Sequence, residues 1–409
     1  MDNFLDRILE RRLIITHFQP IVSVKKHTTV GFEALSRGVP PDGSDGVICP
    51  LDLFNAARRG HKTVALDCLC RDKALEAFRP YHARRKDLLL FLNLEGNAMD
   101  PDDGRGSLIA AARQTAIEPY HIVIEIVESK VERTEELHRF VSLYRRAGFL
   151  IALDDVGTGH SNFDRIATLR PDIIKVDRSI ISGLDREYSK QHVLRALTGL
   201  AHRLGALVIA EGIETEEEAI AAVECETDLL QGYLLSRPNE DIEAALVSAI
   251  EPMRSVGSRY RDFVMAEINA RMGTHRVYDL VMSEMIAALS DCDGREFDLK
   301  LVEFIQDYPV LECVYVLDMD GIQVSDTICN PDRIGGNRRI IFRPDERGAD
   351  QSLKDYFYFI KAGKTQYTTD RYISMASGNW CRTVSSVFRV RGSQFHILCA
   401  DFSSEESKG

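Results

Sequence analysis

Short apolar runs alternate with longer stretches of helical periodicity over the first ~240 residues, and most of the runs end at a polar functional group. Glu33 closes TTVGFEAL, Asn93 closes LLLFLNL, and Glu125 lies in HIVIEIVE. Asp154 and Asp155 end FLIALDD, Lys175 lies in DIIKVD, Glu211 follows LVIA, and Gln231 sits in LLQGYLL. Between them, PLDLFNAARRGHKTVALDCLCRDKALEAF, TEELHRFVSLYRRAGF and SKQHVLRALTGLAHRLG predict helices. The last places Val193, Leu194, Leu197, Leu200 and Ala201 on one face, a core stripe. Strand–helix alternation predicts a parallel sheet, and about 250 residues is a typical size for a closed (β/α) barrel. The C-terminal strand ends of such a barrel share one mouth, so this pattern gathers the acids, an Asn, a Gln and a Lys in one pocket. The Pro/Gly-rich stretch VPPDGSDGVICP, residues 39–50, follows Glu33 and predicts a loop near that mouth.

From Asp241 to about Leu289 the pattern is helical and nearly continuous, with Phe263, Val264, Ile268, Met272, Val277, Leu280, Val281, Met285 and Ile286 at roughly helical spacing. Pro252 predicts a break or restart in this run. The helix has two readings, a rigid join between domains or pairing with a second copy of itself, and an amphipathic stripe does not choose between them. DCDGREFD, residues 291–298, predicts a short loop. Beyond it the style changes. VLECVYVLDMDGIQVSDTI predicts two strands around a turn at Asp320-Gly321, and RYISMASGNWCRTVSSVFRV and SQFHILCADF predict further strands, with turns at Gly378-Asn379 and Arg391-Gly392. SLKDYFYFIKAG predicts a helix among them. Residues 300–404 thus read as an antiparallel α+β module.

Composition narrows the function. The hydrophobic fraction of 44% and charged fraction of 28% are those of an ordinary globular protein. A net charge of −12 argues against DNA or general nucleic-acid binding, but leaves room for a small phosphorylated ligand if metals supply positive charge. The nine Cys are scattered, with no CxxC pair, and read as reduced cytosolic thiols; Cys68 and Cys70 are too isolated for a zinc site. The opening MDNFLDRILERRLIITHFQP lacks a signal-peptide core, and no apolar run approaches membrane-spanning length. The expectation is a cytoplasmic protein with no membrane span.

An acid taken singly is most often a solvated charge or a helix cap. Here the acids share one position on buried strands, where charge is costly without a partner. Oxygen donors of this kind suit Mg²⁺ or Mn²⁺, and the absence of His at these strand ends argues against zinc there. Adjacent Asp154 and Asp155 can serve two ions, and two metals about 4 Å apart can clamp a phosphodiester and activate the water between them. Lys175, inside an apolar strand, reads either as a salt-bridge partner or as a group that orients water or stabilises developing charge. Glu211 reads as a metal ligand or general base. Gly157 and Gly159 in DDVGTGHSN mark a tight loop, with no phosphate-binding glycine motif following.

GFEALSRG, FLNLEGN, VIEIVES, ALDDVGTGHSNFDRI, IIKVDRSII, IAEGIET and LLQGYLLSRP, in this order and spacing, resemble the EAL-domain cyclic-di-GMP phosphodiesterases over roughly residues 12–250. The resemblance implies a (β/α)8 TIM-like barrel of EAL type with one antiparallel strand. It also implies hydrolysis of cyclic di-GMP to linear pGpG with two Mg²⁺ or Mn²⁺ ions per site. By the resemblance, Glu33, Asn93, Glu125 and Asp154 bind one metal, and Asp154, Asp155 and Glu211 serve the second. Lys175 holds the catalytic water, so that Lys175, Glu211, Asp155 and Glu33 carry the catalysis. Gln231 supports the site with Glu214 behind it, Gln19 and Arg37 contact the ligand, and Leu35 packs on a guanine or ribose. Glu128 would anchor the DDVGTG loop, which the family couples to dimerisation. Three positions depart from the usual pattern without removing a ligand: Val156 for an aromatic, His160 for Tyr, and Gly38 for Trp.

DMDGIQVSD, the KDYFYF helix and RYISMASGNWCRTVSS resemble a PAS/Cache-type sensor. Tyr356, Tyr358, Tyr372 and Trp380 lie in segments that line the pocket in such folds, and core packing is the reading favoured for them. The expected organisation is a barrel over residues 1–250, a linking helix over 251–299 and a sensor over 300–409, forming a homodimer regulated by an unknown small ligand. The rival is a cyclic-di-GMP receptor that binds without turnover.

Overall fold

The computed structural model describes residues 3–94, 108–127, 134–158, 163–333, 341–390 and 394–404. The calls on Glu128, Gly159, His160 and the Arg391-Gly392 turn lie outside them. The chain forms two compact units, Met1–Val264 and Met265–Gly409.

In the first unit eight strands close into a barrel in chain order. They are β1 (Ile14–Ser23), β2 (Thr28–Gly38), β3 (Leu89–Leu94), β4 (Ile122–Val127), β5 (Leu150–Val156), β6 (Ile173–Val176), β7 (Leu207–Ala210) and β8 (Leu229–Leu230). β1 is antiparallel to β2 and β8, and the other neighbours pair in parallel. The helices are α1 (Asn3–Arg11), α2 (Pro50–Arg59), α3 (Thr63–His82), α4 (Leu108–Thr115), α5 (Thr134–Arg146), α6 (Phe163–Leu169), α7 (Arg178–Ile181), α8 (Tyr188–Leu204) and α9 (Glu216–Glu224). The main core lies between strands and helices, where Phe32, Leu90, Leu92, Ile124, Ile126, Leu153, Ile174 and Val208 meet Phe78, Phe140, Leu194 and Ala222.

The barrel interior is filled differently. Ile21, Phe91, Val123, Ala152, Ile173, Ile209 and Leu229 form a separate apolar cluster, one from each strand except β2. Side chains two residues apart share a face of a strand. Two residues beyond this layer stand Asn93, Glu125, Asp154, Lys175, Glu211 and Gln231, and on the antiparallel β1 the step runs backwards to Gln19. The polar groups therefore stand in one tier above an apolar plug. Glu33 joins the tier through its register with both Gln19 and Phe91. It does not end its strand: β2 continues to Gly38 against β1, after its pairing with β3 stops at Ala34.

Helix α10 spans Ile242–Ser290 and contains Pro252 without a break. An internal proline costs roughly 3 kcal/mol. Burial of Ala245, Ala249, Met253 and Val256 in the barrel's core offsets that cost, so the predicted restart does not occur.

In the second unit, β9 (Leu311–Leu317), β10 (Ile328–Cys329), β11 (Gln366–Thr368), β12 (Tyr372–Ile373), β13 (Trp380–Arg389) and β14 (Phe395–Ser403) build an antiparallel sheet ordered β10-β9-β14-β13-β11, with β12 on β13. Helices α11 (Phe297–Asp307) and α12 (Asp355–Lys361) complete it. The predicted loop at 291–298 is a short 3-10 turn, Gly294–Glu296, running into α11. One sheet face packs Val314, Val316, Leu398, Ala400 and Phe402 against Met282, Met285, Leu301 and Phe304. The other sets Tyr315, Leu317, Ile397 and Cys399 against Tyr356, Phe357 and Ile360 of α12. On this second face Asp401 is buried, accepting hydrogen bonds from Thr383 Oγ1 at 2.7 Å and Ser374 Oγ at 3.3 Å. Tyr356 is core, as expected, but Tyr358 and Trp380 are 48% and 47% exposed; core packing does not account for them. Cys313 and Cys329, register partners on β9 and β10, form a disulfide. This corrects the reading of all nine Cys as reduced thiols, because strand pairing unites two residues that sequence spacing leaves unrelated. Among the described residues no helix is long and apolar enough to cross a membrane.

Candidate active site

Lys175 Nζ sits at the centre of the polar tier. It lies 2.6 Å from Glu125 Oε1, 2.6 Å from Glu211 Oε1, 3.4 Å from Asp154 Oδ1 and 3.5 Å from Glu33 Oε2. The Lys175 side chain is 1% exposed and that of Glu125 0%. Burial opposes the ammonium charge, but Asp154, Glu125, Glu211 and Glu33 together raise the Lys175 pKa well above the ordinary value. One ammonium cannot balance four carboxylates. Burial, with the Glu33 charge next, pushes Glu125 well up; burial also pushes Glu211 up to about 8, against the pull of Lys175. Without added cations the pocket therefore retains protons.

A chain of amides steadies Glu33. Asn93 Nδ2 donates to Glu33 Oε1 at 2.7 Å, and Gln231 Nε2 donates to Glu33 Oε2 at 2.6 Å and to Gln19 Oε1 at 3.2 Å. Gln19 Nε2 in turn donates to the Ser236 carbonyl at 3.1 Å. Burial alone would raise the Glu33 pKa; Lys175, Gln231 and Asn93 outweigh it and hold the carboxyl below its usual value.

The paired aspartates depend on a backbone irregularity. Consecutive residues of a regular strand face opposite ways. Between Leu153 and Val156 the β5–β6 register shifts, and Asp155 adopts φ 58°, in the left-handed region that Asp tolerates better than most residues. Its N–H donates to Asp154 Oδ1 at 2.9 Å. Asp154, Asp155 and Glu211 each bring an oxygen to within 4.8 Å of the others. Gly157 follows at φ 114°, where a Cβ would come 2.4 Å from Ile180 Cδ1.

These groups suit a hard divalent cation. The donors are oxygens, several are charged, and Glu125, whose Oε1 meets Lys175, has its Oε2 buried without a hydrogen-bond partner. A cation would supply the missing interaction.

Two cavities open on the tier. One, of about 350 Å³, is lined by Glu33, Leu35, Asn93, Asp154 and Asp155, and by Phe54, Asp67, Cys70 and Arg71 from α2 and α3. The other, of about 240 Å³, is lined by Gln19, Glu33, Arg178, Glu211, Glu214, Gln231 and Tyr233. Glu214 is held there by an ion pair with Arg178. Arg37 lines neither cavity; its guanidinium donates to the Ser36 carbonyl at 2.9 Å. Sequence reasoning missed the buried Asp67–Arg71 pair, 2.8 Å apart, whose i,i+4 spacing on a predicted helix was the available signal. It also missed Glu218. That side chain accepts N–H bonds from Gly183, Glu214 and Thr215, tying the loops after β6 and β7 together; its signal is the capping box Thr215–Glu218.

A closed barrel whose strand ends converge on buried carboxylates and one lysine is suited to holding divalent cations at its mouth. Residues 2–238 match the EAL domain, and the chain belongs to that family. It is 26% identical over 388 residues to the uncharacterized EAL-domain containing protein YkuI of Bacillus subtilis, covering 91% of each chain. Over 239 residues it is 28% identical to the probable cyclic di-GMP phosphodiesterase PdeB of Escherichia coli, covering 58% of this chain but only 45% of PdeB. The crystal structure of YkuI in complex with cyclic di-GMP and calcium shares the fold, with a TM-score of 0.77 and 24% identity over 98% of this chain and 99% of YkuI. BlrP1 of Klebsiella pneumoniae, in a manganese and cyclic di-GMP complex, aligns at TM-score 0.51 and 27% identity over 56% of each chain.

Proposed function

We propose that this chain hydrolyses one phosphodiester bond of cyclic di-GMP, giving linear pGpG, with two Mg²⁺ or Mn²⁺ ions per site. The observation that carries this reading is the set of four carboxylates around a single buried ammonium, with Asp155 beside them and Glu125 Oε2 left without a hydrogen-bond partner. PdeB is named a probable phosphodiesterase of this nucleotide, and BlrP1 was solved with manganese and the nucleotide together, which supports the same chemistry here. Glu33, Asn93, Glu125 and Asp154 would hold one ion, and Asp154, Asp155 and Glu211 the other. The ions, when bound, would neutralise phosphate charge and lower the pKa of a water.

The chain's own side chains do the rest. Lys175, fixed between Glu125 and Glu211, holds the attacking water in line and carries positive charge toward the phosphate oxygens. Glu33 and Asp155 keep the ligand set in register, and Glu211 is placed to accept a proton. Gln231 and Gln19 orient Glu33 from one side and Asn93 from the other. Leu35 contributes an apolar wall to the 350 Å³ cavity, where a guanine or ribose would pack. Arg37 reaches a phosphate only by leaving the Ser36 carbonyl.

The second unit serves in this proposal as a PAS/Cache-like sensor for a small ligand, on a cytoplasmic homodimer. Met265, Ile268, Met272, Val277 and Leu280 support the dimer: they are apolar, lie on α10 and are all exposed. Purified full-length protein, incubated with cyclic di-GMP and Mn²⁺ or Mg²⁺ and analysed by chromatography, tests the activity. Metal-dependent pGpG is expected. Tight nucleotide binding without product under any metal would instead assign the chain to non-hydrolytic receptors.

A further inference from the structure

At the other end of the barrel, where the chain enters β4, three metal-binding side chains converge that the proposed chemistry does not use. His82 is the last residue of α3, Glu118 caps the short 3-10 turn Pro119–His121, and His121 directly precedes β4. His82 Nε2 lies 3.0 Å from Glu118 Oε2, and His121 Nδ1 lies 3.6 Å from the same oxygen. One ligand atom from each residue falls within 4.8 Å of the others. Tetrahedral coordination with zinc–ligand bonds near 2.0–2.1 Å sets donor atoms about 3.3 Å apart, and the two measured separations bracket that value.

The polar groups need a further partner. The His82 side chain is 3% exposed and that of His121 13%. The Nδ1 atom of each is buried without a hydrogen-bond partner. The His121 ring bonds to the Lys86 backbone. With Nδ1 turned toward Glu118, Nε2 is the far nitrogen left for that bond. Nδ1 faces the Glu118 carboxylate oxygen at 3.6 Å, too far for a good hydrogen bond, a gap that a cation between them would close. An imidazole whose far nitrogen bonds to backbone is the usual arrangement around a metal-binding histidine.

We propose that His82, Glu118 and His121 form a second metal site, selective for Zn²⁺ or a similar late first-row divalent ion, with its remaining position open to solvent through the partly exposed Glu118. Two nitrogens and one oxygen separate it chemically from the all-oxygen tier at the mouth, which suits Mg²⁺ and Mn²⁺. The ion would clip the end of α3 to the segment that starts β4, the strand carrying Glu125.

Full-length protein stripped with a chelator, then dialysed against Zn²⁺ in excess Mg²⁺, tests the site by counting bound zinc. One zinc per chain should persist in wild type and in a mouth variant, Glu125→Gln with Asp154→Asn. His121→Gln and Glu118→Gln should each weaken that zinc by at least about tenfold, since loss of even an outer-shell partner costs that much. Both replaced side chains are partly exposed, so folding, checked by circular dichroism, should survive where His82→Ala endangers the core. Co²⁺ in place of Zn²⁺ should give a visible ligand-field absorption that changes in His121→Gln. Zinc binding unchanged by both single variants, or lost in the mouth variant alone, would overturn the assignment.

Discussion

Glu125 and Lys175 illustrate what a buried charge cluster costs its host. Glu125 is wholly buried, its carboxyl pushed well up by burial and by the Glu33 charge against the pull of Lys175, and its Oε2 accepts no hydrogen bond. An unsatisfied buried polar group costs about 1–3 kcal/mol. Glu125→Gln should therefore stabilise the metal-free protein by ~1 kcal/mol while abolishing hydrolysis and the thermal shift produced by Mn²⁺. Lys175→Met should act with the opposite sign on stability. It removes the one cation among Glu33, Glu125, Asp154 and Glu211, and breaking a buried charge pair costs about 3–5 kcal/mol. Urea midpoints in the presence of chelator measure both. A drop for Glu125→Gln would mean that its carboxylate is better satisfied than its surroundings indicate.

At the level of elements, the barrel was legible in the sequence because strands β3 to β8 each carry an apolar residue and, two positions on, a polar one. Phe91 and Asn93, Val123 and Glu125, Ile173 and Lys175 are such pairs, and a period of two is what a strand preserves. What periodicity does not encode is non-local. The bulge at Asp155 turns both aspartates to one site, β2 runs past Glu33 because β1 still pairs with it, and Cys313 meets Cys329 only after β9 and β10 align. Pro252 reads as a stop by local rules, yet core burial carries the helix through it. Arg37 matches a motif, but its side chain's direction follows from the strand and not from the motif. Close backbone packing is also hidden. Gly232 follows Gln231, and a Cβ on it would lie 2.1 Å from the Ile213 carbonyl oxygen and 2.3 Å from the Ile213 nitrogen. The Ile213 backbone cannot yield cheaply, so Gly232→Ala should cost roughly 1–3 kcal/mol and displace Gln231 from Glu33. Activity should fall further than in Gln231→Ala, which loses the hydrogen bond without moving the strand end; equal activities would show that the loop adapts.

For the whole molecule, two units with separate cores should unfold in two calorimetric transitions, each answering to a different solution variable. In the proposed function Mn²⁺ would bind the barrel's carboxylates and not the second unit's sheet. At a concentration a hundred times its dissociation constant it adds about 2.7 kcal/mol to the barrel and leaves the other transition in place. Acid acts on the second unit through Asp401. Burial raises its pKa from 3.8 to about 6, against the hydrogen bonds from Thr383 and Ser374. Between these two values the folded unit keeps a proton that the unfolded chain has lost, so stability declines as pH rises through the interval and levels off above it. The interval corresponds to about 3 kcal/mol of stability. In chelator, lowering the pH from 7 to about 4.5 should therefore raise the second unit's transition in wild type relative to Asp401→Asn, in which the titrating group is gone. If the difference between the two proteins stays constant with pH, Asp401 is ionised in the folded state, and the polar face of the sheet already supplies the charge compensation that its burial denies.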